Sequence, residues 1–224
     1  MLSHALADKE KVAYLQKALV DFYRREGRRL PWRGVKDPYV VLVSELLLQK
    51  TTSSQVLKVF DEFFKRWPSI ADLAVADLNA IKEVIGRLGL VKRAEFLKEI
   101  ALKVMEAYGG EIPRDESLTK LKGVGRYTAN AVRCFAFGER APIVDANVAR
   151  TLRRYFGLKG GKPAYADKNL WELADAILPK ENYVEFNYGL LDLSAKYCRP
   201  EPSCVGCPLK IHCSYTKSHL TEVD

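Results

Sequence analysis

The sequence predicts an all-α fold with short connections. Three observations carry that reading. Apolar residues recur at spacings of three and four along most of the 224 residues, the period of one helix face. Glycine and proline fall between those runs, where helices stop. The apolar–polar alternation of a strand is absent over any useful length.

Taken in order, the segment 9–25 sets Val12, Leu15, Leu19 and Phe22 on one face. Asp37-Pro38 opens the next helix, because proline suits a first turn. Its body, 39–48, is almost wholly apolar, so it should be buried on most sides. The segment 52–66 is amphipathic and stops before Pro68. Segments 69–73, 78–86 and 94–108 continue the pattern, punctuated by Gly86, Gly89 and Gly109-Gly110. A short turn at 117–121 leads into the stretch LKGVG, and helices follow at 127–137, 146–156 and 169–178. The loop 157–167, rich in Gly and Lys, reads as a flexible link.

Nearly half of the residues are apolar, 48%, enough core for one large domain or two small lobes. The net charge of +8 favours polyanionic partners, nucleic acid first. The opening 29 residues are charged and lack the apolar centre of a signal peptide. No later segment reaches the roughly 20 apolar residues of a membrane helix. The expectation is a soluble cytoplasmic protein, in reducing surroundings where disulfides are disfavoured.

Four of the five cysteines fall in one window, CRPEPSCVGCPLKIHC. Cys198, Cys204, Cys207 and Cys213 are spaced C-x5-C-x2-C-x5-C. Four thiolates in one loop can enclose a metal centre unaided. Zinc sites more often pair two close C-x2–4-C units across a longer run. Here only the middle pair is close, so the spacing favours a [4Fe-4S] cluster and leaves zinc open. Cys134 sits on an apolar helix face and reads as a small core residue.

In LKGVGRYTA, Gly123, Val124 and Gly125 form a turn between two helices. Glycine permits positive φ and close backbone approach to a ligand. The amides opening the next helix carry partial positive charge and can hold a phosphate oxygen. Arg126 and Lys122 add mobile charge. An ordinary tight turn accounts for GxG equally well when it stands alone. Two carboxylates stand out. Asp145, in IVDANVAR, precedes a helix and suits an N-cap, a role compatible with a catalytic one. Glu45, in VLVSELLLQKTT, lies on a helix apolar on nearly all sides. A carboxylate there is costly unless it is paired, protonated or facing a pocket.

Together the hairpin LKGVGRYTA, the VDANV aspartate and the four-Cys loop resemble the helix-hairpin-helix DNA glycosylases of the endonuclease III and MutY type. LPWR (Leu30 to Arg33), DPYVVLVSELLLQKT and GLVKRAEFL extend the likeness over nearly the whole chain. Within that family the chain looks most like the archaeal thymine glycosylases that act on T:G and U:G mismatches. The resemblance implies an all-α, two-lobed fold. Residues 29–139 would form a six-helix barrel with the hairpin. Residues 1–28 and 140–224 would form a lobe closed by a [4Fe-4S] loop on Cys198, Cys204, Cys207 and Cys213. Double-stranded DNA carrying a mismatched or damaged base would lie across the groove between them, bound by a monomer.

The resemblance also implies roles. Bifunctional members carry a lysine at the start of the helix after the hairpin, and its amine attacks the sugar to give a Schiff base. Tyr127 stands there in this chain, which implies a monofunctional enzyme that hydrolyses the N-glycosidic bond. Asp145 would support the oxocarbenium character of the sugar. Glu45, with a pKa raised by burial, would assist the departing base or position water. Gln49 would fill the space left by the extruded base, and Leu90 would wedge beside the opposite strand. Glu45, Tyr127 and Tyr188 would line the base pocket. Tyr188 replaces the glutamine that reads adenine in adenine glycosylases and the leucine of the thymine enzymes. A mismatch glycosylase for T or U opposite G is the first reading. An adenine glycosylase lacking the 8-oxoguanine-reading domain, or a non-catalytic DNA-binding module, are the alternatives.

Overall fold

The computed structural model describes residues 8–89 and 91–219. Its regular elements are helices, with no strand among the described residues. The chain divides into two compact units: a middle unit, Leu30–Glu139, and a terminal unit, Met1–Arg29 with Arg140–Asp224.

The middle unit contains α2 (Pro38–Leu48), α3 (Ser53–Arg66), α4 (Ile70–Val75), α5 (Leu78–Gly86), α6 (Val91–Tyr108) and α7 (Arg126–Phe135). Its N-termini follow from short polar side chains. Asp37 accepts from the amides of Tyr39 and Val40. Thr52 with Gln55, and Ser69 with Asp72, form reciprocal capping boxes. Helix α2 is buried from Tyr39 through Leu47 except at Val40, as its all-round apolar sequence requires. It packs against α3 and α7, while α6 packs across α4 and α5. Helix α6 begins three residues before the expected Ala94. Helix α7 ends at Phe135 rather than 137, because Gly138 turns left-handed (φ 67°) and the Glu139 amide closes on the Arg133 carbonyl.

The terminal unit holds α1 (Lys9–Glu26), α8 (Ala146–Phe156), α9 (Lys168–Ile177), α10 (Tyr183–Lys196) and α11 (Ser214–His219). Helix α10 was not among the expected elements. Gly189 interrupts its pattern, and glycine ordinarily weakens a helix. The reason is packing: α10 lies directly on α1, and a Cβ at Gly189 would stand 2.2 Å from the Leu19 carbonyl oxygen. Between these helices the Arg28 backbone amide (2.8 Å) and Nε (2.6 Å) donate to the carboxylate of Asp192, whose side chain is only 3% exposed. The loop 157–167 is anchored rather than loose. Arg153 Nη2 donates to the Lys162 carbonyl and the Asp167 carboxylate, both at 2.6 Å. Among the described residues no helix is long and apolar enough to cross a membrane.

Candidate active site and cysteine loop

The middle unit carries the hairpin, Gln49, Glu45 and Tyr127, and a hydrogen bond joins Gln49 to the hairpin. Gly123 takes a left-handed conformation (φ 76°) that an L side chain rarely adopts. Gly125 is the N-cap of α7, extended, with no side chain to cap the first amides. Those amides point out of a helix start, the arrangement that binds anionic oxygen. Val124 is buried (4% exposed) and pins the turn to the core. Lys122 is less mobile than expected. Its ammonium lies 2.7 Å from a Glu99 oxygen and over the Phe96 ring. Tyr127, half-buried, opens α7 directly after Arg126.

Glu45 is 6% exposed near the middle of α2. Beside it Ser44 Oγ is buried without a hydrogen-bond partner among the described residues. Gln49 is not a free surface side chain. Its Nε2 donates to the Gly123 carbonyl (3.1 Å) and more distantly to Thr128 Oγ1 (3.4 Å). Lys50, next in the chain, has positive φ (59°). Leu90 lies outside the described residues.

In the terminal unit Asp145 caps α8, accepting from the Val148 amide at 2.7 Å. Burial pushes its carboxyl above the ordinary range. The amides of Val148 and Asn147 and the charge of Arg150 work the other way. A polar chain runs from this carboxylate. Asn147 Nδ2 lies 3.5 Å from Asp145 Oδ2, Arg150 Nη2 donates to Asn147 Oδ1 (2.8 Å), and Arg150 Nε donates to the Cys198 carbonyl (2.7 Å). Tyr188 is 5% exposed and stacks on Tyr23, with ring centroids 5.4 Å apart.

Cys198, Cys204, Cys207 and Cys213 border one small cavity with Arg154 and Tyr155. None is in a disulfide. Burial raises the Cys204 thiol and pushes Cys207 up to about 11, and repulsion from the neighbouring cysteines adds to both. Cations compensate such a site. Arg154 Nη1 lies 3.6 Å from Cys198 Sγ and also donates to the Arg199 carbonyl. Among the described residues no three His, Cys, Asp or Glu side chains stand close enough to grip a metal ion as placed. The donor set nevertheless fits an iron–sulfur cluster: four soft thiols around a single cavity, with a guanidinium to offset their charge. Arg150 and Arg154, one turn apart on α8, are the residues sequence reasoning left without this role. Their i,i+4 spacing on one helix face was the available signal.

Residues 43–176 match the model of the HhH-GPD superfamily base excision DNA repair proteins. The chain is 40% identical over 212 residues to the thymine/uracil-DNA glycosylase of Methanothermobacter thermautotrophicus, covering 93% of this chain and 96% of that protein. It superposes on the solved structure of a thermostable thymine-DNA glycosylase with a TM-score of 0.89 at 39% identity, over 95% of this chain and 99% of that one. It also superposes on a trapped endonuclease III–DNA covalent intermediate, with a TM-score of 0.78 at 26% identity, over 95% and 98%. On the length and the identity of these matches, the chain belongs to the HhH-GPD superfamily of base excision DNA repair proteins.

Proposed function

We propose that this DNA glycosylase excises thymine or uracil opposite guanine by hydrolysis, without cleaving the strand. The observation that carries the reading is Tyr127 at the first turn of α7, in a chain 40% identical to a thymine/uracil-DNA glycosylase over nearly its whole length. A phenol has no amine to form a Schiff base with the sugar.

The proposed steps follow from the bond. The target nucleotide leaves the duplex, which is cheapest at a mismatch. The uncapped amides after Gly123 and Gly125 hold a backbone phosphate. As the glycosidic bond breaks, the Asp145 carboxylate stabilises the cationic sugar. Glu45 donates a hydrogen bond to the departing base, which takes the electron pair. Tyr127 contacts the extruded base, and Tyr188, fixed by its stack on Tyr23, contributes to base selection. Water adds hydroxide to C1′ and its proton ends on the base, leaving an abasic site. Gln49 fills the vacated space, and Leu90 wedges beside the opposite strand. The protein acts as a monomer in the cytoplasm, on the nucleoid.

Cys198, Cys204, Cys207 and Cys213 would hold a [4Fe-4S] cluster, which would serve as a structural staple for the loop. Arg150 and Arg154 brace the backbone that presents Cys198.

A panel of duplexes carrying T:G, U:G and A:8-oxoguanine tests the substrate. Alkali-labile sites from T:G and U:G are expected, with intact strands before alkali. Release of adenine alone would overturn the substrate, and strand breaks before alkali would overturn the hydrolytic mechanism. Purified protein should be brown, absorbing near about 400 nm as iron–sulfur clusters do; a colourless protein containing zinc would overturn the cluster.

A further inference from the structure

We propose that Arg93 is a positioning residue for base extrusion, fixing the turn that carries Gln49. This rests on the reading of Gln49 as the side chain that fills the vacated duplex. The carbonyls at the end of a helix lack intrahelical partners and carry partial negative charge. At the end of α2 one guanidinium nitrogen serves two of them. Arg93 Nη1 donates to the Leu46 carbonyl at 2.8 Å and to the Gln49 carbonyl at 2.6 Å. The bond to Gln49 falls on the backbone of the residue whose side chain must act.

Two further contacts and one backbone conformation make this turn a defined object. Gln49 Nε2 ties back to the Gly123 carbonyl of the hairpin at 3.1 Å. Thr51 Oγ1 donates to the Leu47 carbonyl. Lys50 is exposed yet left-handed (φ 59°), a conformation that costs a non-glycine residue energy and persists only where its surroundings impose it. Arg93 is half-buried, and burial lowers its pKa; a guanidinium keeps its charge in a protein. The Gln49 side chain is thus restrained by Nε2 bonds that DNA can replace, while Arg93 holds its backbone. Arg93 has no assigned contact with substrate, so its effect passes through Gln49.

The test uses the full chain and a T:G duplex with 2-aminopurine beside the mismatched thymine. Fluorescence rises when that neighbour is unstacked by extrusion. Readings are taken in an Asp145→Asn background for extrusion and in the parent for excision. Arg93→Met should keep DNA affinity, lose most of the fluorescence rise and slow excision on the order of tenfold to a hundredfold, as a small misplacement does. Arg93→Lys, a compact ammonium that serves two carbonyls less well, should recover part of both. Gln49→Ala should lose the rise too, and the double variant Gln49→Ala/Arg93→Met should be no worse than Gln49→Ala alone. Additive losses would overturn the proposal, as would a parental rise in Arg93→Met. If Arg93→Met fails to fold, a parental rise in Arg93→Lys overturns it. A parent chain that extrudes thymine without excising it contradicts the glycosylase reading alone. A parental rise in Gln49→Ala removes the role of Gln49 and this proposal with it.

Discussion

Gly189→Ala isolates the contact between α1 and α10. In most helices this substitution stabilises, because alanine exceeds glycine in helix propensity by about 1 kcal/mol. Here the added Cβ would stand 2.2 Å from the Leu19 carbonyl oxygen, 2.9 Å from its carbon and 3.4 Å from Tyr23 Cβ. Ordinary contact begins near 3.4 Å, so the closest approach is short by roughly an ångström. The obstructing atoms are backbone, and no rotamer change relieves them. The helices must separate, which loosens the buried side chains of Leu19, Phe22, Phe186 and Leu190. Overpacking costs about 1–3 kcal/mol, and a backbone clash belongs at or above the upper end. Net of the propensity gain, the variant should lose about 2 kcal/mol. That corresponds to a fall in Tm of roughly 4–8 °C for a protein of this size. Thermal unfolding followed by far-ultraviolet circular dichroism reads the shift. Gly86→Ala is the control. Its Cβ would meet only Val91 Cγ2, at 3.8 Å, so that variant should be neutral or slightly stabilised. A Gly189→Ala protein as stable as the parent would refute the close-approach account.

Three other outcomes are expected. Because burial raises the Asp145 carboxyl, its contribution to stability is greatest below the ordinary unfolded pKa and is lost as pH rises through the raised one. Asp145→Asn, which keeps an N-cap-competent side chain, should therefore melt higher than the parent at neutral pH. That margin should shrink toward about pH 4, and a margin constant with pH would contradict burial as the cause. The same variant should lose excision while retaining DNA affinity. Tyr127→Lys places an amine at the first turn of α7 and should yield a borohydride-trappable covalent complex with T:G DNA; absence of trapping would mean the position does not face C1′. Arg28→Met removes the charge-assisted Nε bond to the nearly buried Asp192 and leaves the backbone-amide bond; it should cost about 1.5–3 kcal/mol, measured as a lower urea midpoint, and an unchanged midpoint would show that Asp192 is satisfied without the Arg28 guanidinium.

The helical class, most helix starts and the chemical inventory were legible in the linear chain, for a local reason. Helix periodicity, an N-cap aspartate and a Pro at the first turn act within a few residues, so α1, α2 and α8 declare themselves. A window of four cysteines and a GxG turn are also local patterns. Glu45 was conspicuous because a charge on an apolar helix violates the pattern around it. What escaped depends on residues distant in sequence. Helix α10 hid behind Gly189, whose missing side chain makes sense only against the Leu19 backbone 170 positions earlier. The partner of Lys122 is Glu99, the tie of Gln49 is the Gly123 carbonyl, and Arg93 caps a helix that ends 45 positions before it. Hydrogen bonds to backbone carbonyls leave no sequence signature, since every residue supplies one. Local propensity therefore settled most of the elements, and only tertiary packing decided that α10 forms across Gly189, which side chains serve the helices and where the turn carrying Gln49 is held.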